Sequence, residues 1–301
     1  MSDAVKQALY KEDKSKSARK PRLWACLACS PVPVGLMHLI ERGLMKILAL
    51  GDVVGERTLP FLQKTLWEKR RALGADLVIA NAENVCDIHG LSPKAAEVLF
   101  AAGVDFLTSG NHIFDRRDAH GLLNDSHAII RPCNYPPTCP GEGSRVITSA
   151  EGWRVLVVNV SGSVFMDALG DPFRAIEQEL DRHCRSYDIA VLDIHAEATS
   201  DKLAIARHFD GRFAAIFGTH THVQTADEQI LPQGTGYITD LGMTGPVNSI
   251  LGVTPADVIE KMRTHMPRRF TVAEGDVAAH GALFEIDPFV GRALRVTRVK
   301  F

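Results

Sequence analysis

At 301 residues, 46% hydrophobic and 23% charged, with a net charge of −2, the chain has the make-up of a globular protein with a sizeable core. That balance excludes a protein built as a whole to hold a nucleic-acid or membrane polyanion; a phosphate-bearing ligand has to be attracted locally. Six cysteines are too sparse for a secreted disulfide scaffold, and no apolar run reaches the ~18 residues of a membrane span, so a reduced, cytoplasmic protein is expected.

Residues 1–44 read differently from the rest. They hold eight Lys and Arg against four Asp and Glu, together with the apolar stretch Leu23-Trp24-Ala25-Cys26-Leu27-Ala28-Cys29. Pro31 and Pro33 follow closely and the charged part before it is long, unlike a signal peptide. The expectation is a poorly ordered N-terminal extension over 1–44, Met45 as the natural start, and one domain over 45–301. Cys26-x-x-Cys29 has the spacing of half a zinc site, without a second pair nearby.

From Met45 the pattern is regular. Lys46-Ile47-Leu48-Ala49-Leu50 predicts a buried strand closed by Gly51-Asp52. Leu59, Leu62 and Leu66, with Lys and Arg on the opposite face, predict a helix over 58–73. A second strand over 76–80 ends in Asn81-Ala82-Glu83-Asn84. Ser92-Pro93 then caps a helix through Ala102, and a third strand over 105–108 runs into Ser109-Gly110-Asn111-His112. In the second half, strands are predicted over 153–160, 189–195 and 214–217, with a helix from Pro172 to about Cys184 after the first of them. Residues 270–301 alternate apolar and polar, as an antiparallel hairpin at a sheet edge does. Strands alternating with helices imply parallel crossovers and an α/β sandwich.

Five of these strands end in metal-ligand residue types: Asp52; Glu83 with Asn84; Asn111-His112; His195; and His220-x-His222. In open α/β sheets, ligands gather at the C-terminal ends of strands. Carboxylate, amide oxygen and imidazole without thiolate suit divalent ions such as Mn²⁺, Fe²⁺ or Zn²⁺. A carboxylate able to bridge, as Glu83 is, holds two ions about 3.5–4 Å apart. Each piece alone admits a plain structural role: Asp52 capping a turn, Asn111 in a turn, His195 as a hydrogen-bonded core histidine. His220-x-His222, read as two imidazoles on one side of an extended segment, is harder to explain that way. Ligand types at five separate strand ends are not a chance pattern.

Gly110-Asn111-His112 and Gly218-Thr219-His220-Thr221-His222 resemble the GNH and GHxH signatures of calcineurin-like metallophosphoesterases. More closely, Gly51-Asp52-Val53-Val54-Gly55, Asn81-Ala82-Glu83-Asn84, His195-Ala196-Glu197-Ala198-Thr199-Ser200, Thr219 to Asp227 and Asp240-Leu241-Gly242-Met243-Thr244-Gly245-Pro246 resemble the bacterial YmdB-like family. The resemblance runs from Met45 almost to Phe301. It implies a four-layer αββα sandwich and a dinuclear phosphodiesterase acting on cyclic nucleotides, 2′,3′-cyclic AMP among them. It also implies that Asp52, Glu83, Asn84 and His222 hold one ion and that Glu83, Asn111, His195 and His220 hold the other, the metal being Fe, Mn or Mg. The broader superfamily has Asp-x-His at its first motif and usually bridges with Asp. Here Asp52 precedes Val53-Val54 and the candidate bridge is Glu83, which leaves the first ion with fewer imidazoles.

The expected mechanism follows from charge: two ions offset the phosphate's negative charge and acidify a water, so that hydroxide attacks in line. His112, next to a ligand, is the candidate general acid. Gly242 and Thr244 are candidates to present backbone N–H groups to substrate, a plain turn being the other reading. Arg131 and Arg207 are candidate partners of a second phosphate or the ribose edge. The expected partner is a small cyclic nucleotide or other phosphodiester, with no membrane and no stable nucleic acid; homo-oligomerisation is left open. Two alternatives stand beside this reading. One is a phosphomonoesterase or protein phosphatase on the same scaffold; the other is a regulatory protein that binds metal and nucleotide with little turnover.

Overall fold

In the computed structural model, residues 43–301 apart from Ile88 are described; Cys26-x-x-Cys29 and nearly all of the expected extension lie outside the described residues. Apolar runs closed by Gly, Asp or Asn become strands buried on both faces. β1 (Met45–Leu50) is followed one residue later by the two-residue β2 (Asp52–Val53). The helix α1 (Thr58–Leu73) buries Leu59, Leu62 and Leu66 and stops at Gly74, whose φ of +65° suits glycine. β3 (Leu77–Asn81), α2 (Pro93–Ala102), β4 (Phe106–Thr108) and α3 (Ala119–Asp125) complete the first half. The Ser92 hydroxyl accepts the Ala95 N–H at 3.2 Å and so caps α2.

The second half runs β5 (Ser144–Thr148), β6 (Arg154–Ser161), α4 (Pro172–Arg182), β7 (Ile189–His195), α5 (Thr199–His208), β8 (Ala215–Thr219), β9 (Gln229–Ile230) and β10 (Gly236–Ile238). It closes with β11 (Met243–Pro246), α6 (Pro255–Thr264), β12 (Val277–Ala278), β13 (His280–Asp287) and β14 (Arg292–Lys300). One sheet has the order β14-β13-β1-β3-β4 and the other β5-β6-β7-β8-β10-β9, with a small sheet β12-β11-β2 beside them. β1, β3 and β4 are parallel to one another, as are β6, β7, β8 and β10.

The sheets face each other, with Phe217 of β8 and Phe284 of β13 at 6.0 Å between ring centroids. Gly236 of β10 lies so close to the other sheet that a Cβ there would press on Val296, Ala293 and Phe284. Outside the first sheet, Leu48, Leu50 and Val78 pack with Leu62, Leu66 and Leu99 of α1 and α2. Outside the second, Leu156, Leu192 and Ile216 pack with Ile176, Ile205 and Phe209. The result is the expected helix–sheet–sheet–helix sandwich.

One expectation needs adjustment, and one helix was not anticipated. The C-terminal hairpin starts at His280 rather than near residue 270, and its first strand lies inside the sheet: β13 pairs antiparallel with β1 from Met45↔Ile286 to Leu50↔Gly281. The helix α5 gave no apolar stripe because its buried face is Lys202, Ile205 and Ala206. What matters for function is that the C-terminal ends of β1, β3, β4, β7 and β8 meet at one end of the sandwich. Replacing the fully buried Phe284 by Ala should cost about 3–5 kcal/mol in urea denaturation. A cost below about 1 kcal/mol would mean that the two sheets do not depend on this contact.

Candidate metal centre

Three atoms surround Nε2 of the fully buried His195: Asn111 Oδ1 at 2.9 Å, Glu83 Oε1 at 3.0 Å and His220 Nδ1 at 3.0 Å. The outer hydrogen bonds fix where the protons sit. Thr219 Oγ1 donates to Asp193 Oδ1 at 2.8 Å, so it accepts from His195 Nδ1 at 2.9 Å, and Nε2 offers its lone pair to a cation once a proton there is displaced. His220 Nε2 faces the Glu197 carboxylate at 3.1 Å, which places its proton there and leaves Nδ1 bare. Glu83, His195 and His220 thus bring ligand atoms within 4.8 Å of one another, with the Asn111 oxygen beside them. Lone pairs that crowd this way need a cation among them. One proton satisfies a single contact, whereas a divalent ion satisfies all four donors, so the donor set fits a metal.

The charges agree. Burial pushes His195 down, but the carboxylates of Glu83, Asp52 and Asp193 outweigh it and raise it to about 9. Burial would raise Asp52 and Glu83; instead His222 holds Asp52, and His195 holds Glu83, below the usual carboxylate range. Burial, then the His195 charge, drives His220 down to about 4.

A second group adjoins the first through Glu83. His222 Nδ1 donates to the Leu251 carbonyl at 3.0 Å, so its Nε2 lone pair faces inward, 3.6 Å from Asp52 Oδ1 and 3.3 Å from the Asn84 amide. The same amide end lies 3.5 Å from Asp52 Oδ1 and 3.4 Å from Glu83 Oε1. With its oxygen turned inward, Asn84 joins these donors. Glu83 Oε1 therefore faces both groups, while Oε2 accepts the His112 N–H at 2.8 Å.

His220 and His222 do not lie on one side of an extended segment, as their spacing suggested. Both take left-handed backbone conformations, φ +95° and +62°, so their rings diverge toward the two groups. Such angles cost non-glycine residues on the order of 1–3 kcal/mol each and persist where the surroundings enforce them. Asp240 supplies that enforcement. Its Oδ2 accepts the Thr221 N–H at 3.2 Å, the Thr221 hydroxyl at 2.8 Å and the buried Lys202 ammonium at 2.7 Å. The His220 N–H is held in turn by Asp52 Oδ2 at 3.1 Å.

Sequence reasoning missed this supporting layer: Asp193, Thr219, Glu197, Lys202 and Asp240. The one available signal was polar residues inside apolar runs, such as Asp193 between Leu192 and Ile194. Gly242 and Thr244 need correction as substrate contacts. The Gly242 N–H is engaged by Asp240 Oδ1 at 2.8 Å, and Thr244 is fully buried, its carbonyl accepting from Val54 N. β11 pairs alongside β2, Met243 opposite Asp52, and so backs Asp52 from behind. Arg131 is buried against the carbonyls of Pro132 and Pro140, and Arg207 sits in the last turn of α5. His112 is partly exposed at the edge of the site, its Nδ1 2.8 Å from Asp115 Oδ2.

Facing sheets between helix layers, with carboxylates, amides and imidazoles converging at the strand ends, define the calcineurin-like metallophosphoesterase fold. The profile described as YmdB-like protein matches residues 48–299, and the chain belongs to that family. It is 38% identical over 255 residues to the 2′,3′-cyclic-nucleotide 2′-phosphodiesterase of Bacillus subtilis (strain 168), covering 85% of this chain and 96% of the relative. A hypothetical protein from Thermus thermophilus superposes with a TM-score of 0.80 at 38% identity, covering 85% of this chain and 99% of that one. A Mycoplasma pneumoniae protein described as a novel phosphatase gives 0.80 at 32% identity, covering 86% and 93%.

The raised His195 makes a signed expectation for the metal-free protein. Its stabilising contribution is fully present below the unfolded value near 6.5 and is lost as pH rises through about 9. Thermal melts of chelator-treated protein should therefore show Tm falling across that window, a fall absent from His195→Gln and from metal-loaded protein. Identical profiles for wild type and His195→Gln would contradict the charge assignment.

Proposed function

We propose that this chain is a metal-dependent phosphodiesterase that hydrolyses 2′,3′-cyclic nucleotides. The observation that supports it best is the ring of lone-pair donors around His195 Nε2, at 2.9–3.0 Å, in a family whose Bacillus subtilis member bears that activity in its name. In this reading Asp52, Glu83, Asn84 and His222 hold one divalent ion and Glu83, Asn111, His195 and His220 the other, with Fe, Mn or Mg as the metal. Bound ions would supply charge neutralisation at the phosphate oxygens and an acidified water.

The chain's own residues orient and protonate. Asp193 through Thr219, Glu197, and the Leu251 carbonyl each hold one histidine's proton on its outer nitrogen. Asp115 holds the His112 ring at Nδ1, leaving Nε2 to donate to the departing ribose oxygen. One P–O bond of the cyclic ester breaks, water supplies the new oxygen on phosphorus, and a nucleoside monophosphate leaves. The catalytic unit spans residues 45–301, acts on a small molecule and works in the cytoplasm; among the described residues no helix is long and apolar enough to cross a membrane.

Metal-reconstituted protein should turn over 2′,3′-cyclic AMP and should prefer bis-p-nitrophenyl phosphate over the mono-ester. Two bound ions with no turnover of cyclic nucleotide would refute the reading, and preference for the mono-ester would favour a phosphomonoesterase. His112→Ala should lower turnover by roughly 10²–10⁴-fold with metal content unchanged. His220→Ala and His222→Ala should each lose mainly one ion in elemental analysis; loss of metal from His112→Ala instead would make His112 a ligand.

A further inference from the structure

Beside His112 lies a cavity of about 450 Å³, lined by Asp87, His89, Asp115, Arg116, Arg269 and Phe270, that neither the metal donors nor the proton donor occupies. Its size falls within the range of small-molecule sites, about 300–1,000 Å³. Two of its walls touch His112 directly. The His89 ring stacks on the His112 ring at 3.7 Å between centroids and 7° between planes. Asp115 Oδ2 receives Nδ1 of both, at 2.8 Å from His112 and 3.3 Å from His89. Parallel planes keep the two Nδ1 atoms from aiming at a common point, so this trio forms a stacked wall and not a good ion site. The cavity therefore adjoins the His89–His112 stack at the edge of the site.

Its chemistry is that of a flat, polar-edged ring. Phe270 contributes an aromatic surface, with the Lys261 ammonium 4.7 Å over the ring. Arg116 is engaged by Asp118 through two hydrogen bonds, at 3.0 and 2.9 Å. Arg269 is exposed and, among the described residues, has no hydrogen bond or ion pair, so its donors are available. Asp87 and Asp115 supply acceptors. A bare phosphate would use the cations alone, and a lipid tail would leave the charged groups of Asp87, Asp115 and Arg269 facing hydrocarbon. An aromatic face with donors and acceptors around it matches a nucleobase, which stacks on aromatic side chains and presents polar groups at its edge.

We infer that this cavity is the nucleoside subsite, with the base of the substrate on Phe270, Arg269 donating to the base edge, and the His89–His112 stack separating it from the reacting phosphate. The inference rests on the phosphodiesterase reading above and adds the part of the substrate beyond the phosphate. It makes Phe270 and Arg269 specificity residues whose loss is felt only when a base is present.

The test compares 2′,3′-cyclic AMP with methyl β-ribofuranoside 2,3-cyclic phosphate, which has the same reacting group and no base, on the full metal-loaded chain. Phe270→Ala should lower kcat/KM on the nucleotide roughly tenfold, mainly through KM, as expected for losing one aromatic stack. On the baseless ester it should stay within about twofold, and Phe270→Tyr should restore the nucleotide rate. Arg269→Gln, at an exposed position, should show the same substrate-selective loss in smaller measure. Equal losses on both substrates, or none on the nucleotide, would overturn the subsite. Calorimetric binding of adenosine 3′-monophosphate against ribose 3-phosphate separates the two ideas. If the protein hydrolyses neither cyclic ester, the phosphodiesterase reading fails. An affinity gap between the monophosphates that closes in Phe270→Ala would still uphold the subsite, and no gap in wild type would reject it.

Discussion

Everything at this end of the molecule depends on keeping lone pairs pointed at one another in a buried place. Asp52, Glu83 and His195 are wholly inaccessible to solvent, and nearby imidazoles partly balance the carboxylates. Left alone, such an arrangement relaxes by rotating rings and amides until every acceptor finds a donor. The chain prevents this by giving each histidine a different outer partner: a threonine backed by Asp193 for His195, Glu197 for His220, a main-chain carbonyl for His222. The inward nitrogens are then available for a cation and little else.

That arrangement has a mechanical counterpart. Two histidines separated by one residue reach two different groups only because the backbone turns left-handed at both. The Lys202–Asp240 pair, both side chains buried, ties Thr221 between them. A buried ion pair is a weak source of net stability, since desolvation offsets most of the attraction, and its better-attested use is to fix registry. Here it fixes where a three-residue segment sits. β11 does the same on the opposite side, running beside β2 and backing Asp52.

Much of this was legible in the sequence, for a physical reason. Buried parallel strands are apolar, so a run such as Leu77 to Ala80 announces itself, and the polar residues after it mark the site end of the sheet. Glu83, Asn111, His195 and His220 were visible for that reason. The supports were not, because each is a polar residue inside a segment whose periodicity says core: Asp193 within β7, Lys202 on the buried face of α5. The contact between the His220 amide and Asp52 spans 168 residues and leaves no local trace. Nor does a sequence announce positive φ at histidine, since only Gly and Asn carry that signal. The terminal hairpin shows the same limit, because alternation reveals that two strands pair with each other but not that one of them also borders β1.

The central claim is that these inward lone pairs form a two-ion site bridged by Glu83. The most direct measurement is anomalous diffraction at the manganese edge from crystals grown with Mn²⁺. Our account requires two peaks about 3.5–4 Å apart, one among Glu83, Asn111, His195 and His220 and the other among Asp52, Glu83, Asn84 and His222. A single peak away from Glu83, or none with these side chains arranged as described, would contradict it.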